Sequence, residues 1–183
     1  MAGVEVIPFA HPELENWRNN KIGIQYLHPS TNFLLFGAID DVWQLTSGEL
    51  VIVDYKAKAS EDDPNTFLTP KTKKNGDIVK TEKYKNSYKK QIEFYQWLFR
   101  KNGFQVSKTA YFVFANAQKD KKLFDDHLSF EKILTPYDGD DSWIEPTIEA
   151  IASCLQSSVP PDVQEDCDFC KYRMKAQQVE ATL

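Results

Sequence analysis

The chain has 183 residues, 42% of them hydrophobic, and a formal net charge of -5 at pH 7. That length suits one domain with a sizeable core, and the apolar content excludes a disordered chain. No apolar run approaches the roughly 20 residues that a bilayer span needs, and Met1-Ala2-Gly3-Val4-Glu5 lacks the basic and apolar regions of a signal peptide, so an intracellular, cytoplasmic protein without a membrane partner is expected.

Three cysteines, an odd number, argue against a disulfide framework. The net charge does not mark a nucleic-acid binder, but its distribution is uneven. Lys71, Lys73, Lys74, Lys80, Lys83, Lys85, Lys89 and Lys90 face only Asp77 and Glu82 in one segment of about +6, leaving the rest near -11. A local field of that sign steers a polyanion regardless of net charge; the plainer reading is a solvated loop and helix face.

In chain order, the spacing predicts a short helix from about Pro12 to Asn19, with Leu14 and Trp17 on one side. A strand follows from Phe33 to Leu45, interrupted at Gly37. Thr46-Ser47-Gly48 turns, and Glu49 to Ala57 forms a second strand, antiparallel to the first. Ser60 to Thr81 reads as a long polar loop broken by Pro64, Pro70 and Gly76. Tyr84, Tyr88, Ile92, Tyr95 and Phe99 give the longest helix, Glu82 to Lys101, a buried stripe, and Asn102-Gly103 ends it. Thr109 to Ala115 and Leu128 to Leu134 are strand candidates. Asp140-Asp141-Ser142 caps a helix from Trp143 to Leu155, where Cys154 is expected to be a buried thiol. Pro160-Pro161 opens an irregular tail. The order implies a mixed sheet flanked by helices, over residues 1–158, with residues 159–183 as a tail.

On the second strand Ile52, Asp54 and Lys56 share one face and Val51, Val53 and Tyr55 the other. An Asp and a Lys on so apolar a strand are costly to bury without partners. The hairpin brings Asp40 towards Asp54, and two carboxylates forced together need a proton or a cation between them. A divalent metal resolves that conflict, and Mg²⁺ suits oxygen ligands while keeping places for water and phosphate oxygens. Such a site hydrolyses phosphodiesters by activating a water, with a lysine to orient the nucleophile or stabilise the transition state. A lone D-x-K also occurs on exposed strands; the interior character of Val51-Ile52-Val53 and the paired Asp40 single this one out.

Three segments carry a resemblance: Gly37-Ala38-Ile39-Asp40-Asp41-Val42, Gly48-Glu49-Leu50-Val51-Ile52-Val53-Asp54-Tyr55-Lys56, and Gln91-Ile92-Glu93-Phe94-Tyr95. Together they resemble the RecB-type branch of the PD-(D/E)XK nucleases, over about Phe33 to Ala115. The resemblance implies an α/β, restriction-endonuclease-like core and a Mg²⁺- or Mn²⁺-dependent deoxyribonuclease. Asp40 and Asp54 resemble the metal carboxylates, Lys56 the catalytic lysine, and the Tyr55 backbone carbonyl a further ligand. Gln91 and Tyr95 resemble the pair that supports the site or contacts nucleic acid; a buried hydrogen bond and core packing are their alternatives. Asp41 is expected to point away from Asp40, as a turn or surface residue. Ala57 departs from the small hydroxyl residue often found after the lysine. Relatives often have an upstream histidine on the metal; His11 is preferred here over His28, and an ordinary surface or capping role is the alternative for both.

The implied partner is DNA, single-stranded or end-containing, within a larger repair or defence complex. Lys58, Lys71, Lys73, Lys74, Lys89 and Lys90 are the expected phosphate contacts, and Tyr84 or Tyr88 either stacks on bases or packs in the core. Cys167-Asp168-Phe169-Cys170 resembles the end of relatives that bind an iron–sulfur cluster, such as CRISPR adaptation nucleases and the AddB nuclease domain. Ala176 stands where their last cysteine would be, so no cluster is expected. The first motif arrives by residue 40, which suggests a chain truncated at its N-terminus; a reading frame continuing upstream of Met1 would show it. The alternative function is an inactive nuclease-fold module for nucleic-acid binding or assembly. A structural metal protein built on Cys167 and Cys170 lacks two ligands.

Overall fold

A computed structural model describes residues 5–79, 84–119, 128–163 and 167–181. In chain order the elements are β1 (Val6–Pro8), α1 (Leu14–Arg18), β2 (Ile24–Leu27), β3 (Leu34–Gly37), β4 (Asp41–Leu45) and β5 (Leu50–Lys58). A 3-10 turn (Pro64–Thr66), α2 (Tyr84–Lys101), β6 (Thr109–Ala117), β7 (Phe130–Asp138), α3 (Ile144–Gln156) and α4 (Asp168–Glu180) follow. Two compact units divide the chain, Met1–Ile144 and Glu145–Leu183.

Five strands form one sheet in the order β1-β4-β5-β6-β7. Only β5 and β6 run parallel; the other neighbours are antiparallel. The parallel pair follows from what lies between them, since parallel strands need a long crossover and here the crossover carries α2. β5 is the central strand, and Leu50, Val51, Ile52 and Val53 are all buried, as expected of a strand covered on both faces. Ala110, Phe112 and Phe114 of β6 continue that core beside it. The expected α/β fold, a mixed sheet with a helix packed on it, is the fold observed.

The predicted strand Phe33–Leu45 is two strands in two sheets. β3 pairs with β2 in a separate two-stranded sheet, while β4 pairs with β5. The break at Ala38-Ile39-Asp40 is fixed from outside: the Ile39 amide donates to the Trp17 carbonyl at 3.0 Å, and the Ile39 side chain is buried. The expected hairpin is therefore β4–β5, with Asp41 opposite Val53 and Gln44 opposite Leu50.

The long loop is also more ordered than its composition predicts. Phe67 and Leu68 are buried, the Phe67 ring lies 5.0 Å from Phe114, and Thr72 and Ile78 bridge to form a small turn. The predicted strand start at Leu128 shifts to Phe130, while the predicted helix start at Glu82 lies outside the described residues, which resume with α2 at Tyr84. β7 runs on to Asp138 through Pro136, which an edge strand tolerates because its open side needs no donor. The predicted irregular tail contains α4, capped by the Cys167 sulfur accepting from the Cys170 amide at 3.4 Å. Cys154 is exposed, not buried.

Buried polar groups fix α2. Glu93 accepts from the Tyr137 hydroxyl at 2.5 Å and the Trp143 indole at 2.7 Å. The Gln96 amide donates to the Ser107 and Lys108 carbonyls, both at 2.9 Å. On the side facing the hairpin, a Cβ at Gly37 would stand 2.6 Å from the Tyr95 ring, and one at Gly23 (φ +64°) 2.5 Å from the Gly37 carbonyl. Glycine at 37 lets β3 approach α2, and glycine at 23 lets the chain entering β2 approach the end of β3. Gly37→Ala is therefore expected to cost about 1–3 kcal/mol through overpacking, read as a lower urea midpoint; an unchanged midpoint would show that the Tyr95 ring gives way freely.

Candidate active site

β5 delivers the central carboxylate. Alternation along the strand turns Ile52, Asp54 and Lys56 to the face that α2 covers, and leaves Tyr55 on the other, 47% exposed. Asp54 is 1% exposed. The Lys56 ammonium lies 2.8 Å from Asp54 Oδ1 and 2.6 Å from Oδ2. Only the Oδ1 contact has hydrogen-bond geometry, so Oδ2 is a buried acceptor with a charge beside it and no directed donor. Burial pushes the Asp54 carboxyl above its usual range; Lys56, by hydrogen bond and by charge, opposes the rise, and the charge of Asp40 adds to it.

α2 completes the arrangement from above. Lys56 also donates to Gln91 Oε1 at 3.3 Å, and Gln91 Nε2 donates to the Tyr95 hydroxyl oxygen at 2.8 Å. Gln91 and Tyr95 are one helical turn apart, which puts both on the same side of α2. Burial raises the Tyr95 phenol, the Gln91 hydrogen bond lowers it, and the charges of Asp54 and Asp40 raise it further. The phenol thus stays protonated beside the carboxylates.

Asp40 lies in the break before β4, beyond the end of the β4–β5 ladder, and is exposed. Its Oδ2 accepts from the Tyr55 amide at 2.8 Å, and no described residue donates to Oδ1. The N–H and C=O of one residue in an extended strand point to the same edge, so the Tyr55 carbonyl also faces the Asp40 side. Asp40, Asp54, Lys56, Gln91, Tyr95 and the Tyr55 carbonyl are thus brought together. An all-oxygen donor set with one orphaned buried oxygen fits a hard divalent cation.

Two residues support the site: Arg18, which the sequence reading does not single out, and Asp41, which it expects only as a turn or surface residue. Arg18, at the end of α1, donates from Nε to the Asp40 carbonyl at 3.1 Å and from Nη2 to Asp41 Oδ1 at 2.6 Å. Asp41 also accepts from the Tyr55 hydroxyl at 2.9 Å and the Trp43 indole at 3.3 Å, so it is a clamp and not a loose surface group. Burial, then the Asp41 hydrogen bond, push the Tyr55 phenol up to about 12. The doublet Asp40-Asp41 was the available signal, because adjacent acids call for a cation.

Neither histidine joins the carboxylates. His11 stacks on Trp17 with centroids 4.4 Å apart, and its Nδ1 accepts from the Glu13 amide at 3.2 Å. Buried His28 pairs through Nδ1 with the Thr31 hydroxyl at 2.9 Å. Among the described residues no three His, Cys, Asp or Glu side chains gather closely enough to hold a metal; the expected ligand His11 is placed in the aromatic stack with Phe9 and Trp17. Cys167 and Cys170 are free thiols; hydrogen bonds from Cys170, the backbone one first, lower the Cys167 thiol, and donation to Cys167 raises the Cys170 thiol.

The lysines divide. Lys73, Lys74 and Lys90 are exposed, and Lys90 also lies 5.1 Å over the Trp143 ring. Lys71 pairs with Asp62 at 3.0 Å, Lys58 sits 3.7 Å over the Phe67 ring, and Lys89 lies 5.8 Å over Tyr137. Lys85 is buried and donates to the Thr69 carbonyl at 3.1 Å, so it belongs to the core. Lys80 and Lys83 lie outside the described residues. The stripe on α2 is buried at Ile92, Tyr95 and Phe99, but Tyr84 is 39% exposed.

A carboxyl whose folded pKa is raised binds its proton more tightly in the fold than in the unfolded chain. Stability therefore falls as pH rises through that window, and Lys56 limits the loss. Lys56→Met leaves the buried carboxylate without its cation and is expected to cost about 3–5 kcal/mol at neutral pH. Denaturation at several pH values should show that deficit shrinking in acid, as Asp54 takes up a proton; a pH-independent deficit would assign the loss to packing alone.

No curated protein and no solved structure gives a significant match to the chain. Among the described residues no helix is long and apolar enough to cross a membrane. A family model described as the PD-(D/E)XK nuclease superfamily matches residues 2–174, nearly the whole chain. With that match, the mixed sheet and the Asp54–Lys56 strand facing Asp40, the chain belongs to the PD-(D/E)XK nuclease superfamily.

Proposed function

We propose that this chain is a divalent-metal-dependent deoxyribonuclease of the RecB type, with its centre at Asp40, Asp54 and Lys56. The observation that carries the reading is the buried Asp54 with an orphaned oxygen, tied through Lys56 to Gln91 and Tyr95. A structural ion pair has no need of an exposed second carboxylate, and an inactive binding module gains nothing from acids that repel DNA. Asp40, Asp54 and the Tyr55 carbonyl would hold Mg²⁺ or Mn²⁺. When bound, the cation would neutralise phosphate charge and acidify a water for attack on phosphorus.

The protein's own groups do the rest. Burial keeps water from screening the Lys56 charge, so its ammonium stabilises negative charge developing on the phosphate more strongly than in solvent. Gln91 fixes that ammonium from the α2 side, and the protonated Tyr95 phenol stiffens Gln91 in turn. Arg18 holds the backbone of Asp40 and the side chain of Asp41, so the exposed carboxylate does not swing away from β5. Lys73 and Lys74 would meet phosphates farther along the strand. Their contribution is electrostatic, so binding should fall steeply with salt.

Cleavage of labelled single- and double-stranded DNA with Mg²⁺, Mn²⁺ or EDTA tests the activity. Metal-dependent cutting that Lys56→Ala lowers by about 10²–10³-fold is expected; absence of cutting by wild type with either metal would sink the proposal. Independently of turnover, Mn²⁺ should raise the melting temperature of the wild type, because a ligand that binds only the folded state stabilises it. Asp54→Asn should abolish that increment, and a retained increment would place the metal elsewhere.

A further inference from the structure

Cys167 and Cys170 are not used by the proposed nuclease chemistry, and they occupy the two capping positions of α4. Cys167 is the N-cap. Its extended backbone (φ -78°, ψ 105°) folds the side chain back over the first turn, and its sulfur accepts from the Cys170 amide at 3.4 Å. Cys170 is the third helical residue, and its thiol in turn donates to the Cys167 sulfur. Capping alone is better served by oxygen: Ser, Thr, Asp or Asn at the N-cap, with Glu or Gln three residues on. Sulfur is a weak acceptor and a weak donor. Two cysteines in these positions therefore make a poor cap but hold two nucleophiles in contact. Both are free thiols, neither is buried, and no residue of α4 is buried.

We propose that Cys167 and Cys170 are a thiol–disulfide exchange pair, Cys167 attacking and Cys170 resolving, whose co-substrate is a low-molecular-weight disulfide. The Cys167 sulfur attacks one sulfur of that disulfide; its S–S bond breaks, one thiolate leaves, and a mixed disulfide remains on Cys167. The Cys170 thiol then gives its proton to solvent and attacks the Cys167 sulfur, expelling the second thiolate. Two protein thiols lose two electrons and become a 167–170 disulfide, while one small disulfide is reduced to two thiols. Excess thiol reverses the sequence. The contacts assign the roles. Hydrogen bonds from the Cys170 amide, then from its thiol, lower the Cys167 thiol and enrich the thiolate that attacks; donating to Cys167 raises the Cys170 thiol and keeps it protonated until the first step is done. The charge of Asp168 opposes the first effect and that of Arg173 the second, each ranking behind the hydrogen bonds. The pair is independent of the nuclease reading and adds a second reactive site, within Glu145–Leu183.

The test equilibrates the full chain with oxidised and reduced glutathione at neutral pH, quenches with acid, and maps the sulfurs by peptide mass spectrometry. Exposed Cys154 serves as the internal control. The expected product is a 167–170 disulfide with no glutathione on either residue, while Cys154 carries glutathione alone. Cys170→Ser should trap the mixed disulfide on Cys167. Cys167→Ser should form no disulfide yet keep its circular dichroism and melting temperature, because serine caps a helix better than cysteine does. A disulfide lost in that variant is therefore not a folding defect. In the reduced wild type, iodoacetamide should label Cys167 at least about three-fold faster than Cys154, since the thiolate is the reacting form. Separate adducts on Cys167 and Cys170 with no disulfide between them, or labelling of Cys167 no faster than Cys154, overturns the pair and leaves the nuclease reading intact. A disulfide that survives Cys167→Ser joins other sulfurs and overturns it as well.

Discussion

A carboxylate with 1% exposure in the middle of a five-stranded sheet is the constraint around which this protein is arranged. Removing Asp54 from water costs several kcal/mol unless charge is returned to it locally. The strand itself returns that charge, because Lys56 lies two residues on and therefore on the same face, close enough to bring its ammonium against both oxygens. The pairing leaves a hydrogen-bond vacancy at Oδ2, and α2 must then hold the lysine from the far side. Gln91 does so, Tyr95 supports Gln91, and Gly37 makes room for Tyr95. Hairpin, helix and central strand thus converge on one charge.

The two carboxylates of the site are unequal by construction. Asp54 is enclosed and its ionised form is penalised by burial, while Asp40 is open to solvent at the tip of the β4–β5 ladder. An enclosed acid gives a strong local field, and an open one lets a ligand enter. Arg18 reconciles exposure with order by anchoring the Asp40 carbonyl and the Asp41 side chain together. Asp40 thus sits where one sheet ends and another begins, in the break that the Ile39–Trp17 hydrogen bond fixes.

Polar burial recurs on α2 and along its approach. Glu93, Gln96 and Lys85 are buried, and each is tied to backbone or side-chain groups of a neighbouring segment. Such groups are expensive when unpaired, so they specify one seating of the helix where apolar contacts alone would permit several. The lysine-rich stretch is accordingly not a uniform cationic surface. Lys85 is structural, Lys58 and Lys89 lie on aromatic rings, and Lys73, Lys74 and Lys90 face solvent.

The sequence by itself determined the parts whose signals are local. Val51-Ile52-Val53 before Asp54 marked a covered strand, the Thr46-Ser47-Gly48 turn marked the hairpin, and the three- and four-residue spacing after Tyr88 marked α2. Gln91 and Tyr95 were legible because a helix puts residues four apart together whatever surrounds it. Non-local partners decided the rest. β1 and β2 are too short to show a period and exist because β4 and β3 offer them hydrogen bonds. The division of Phe33–Leu45 depends on the Trp17 carbonyl, the order of the long loop on Phe114, and the inward turn of Lys85 on the Thr69 carbonyl. His11 was drawn into an aromatic stack by Trp17, a partner that its own neighbours in the chain do not announce. Local patterns fix which element a residue joins; only the packed fold settles which charges meet, because burial and electrostatics are properties of the surroundings and not of the residue.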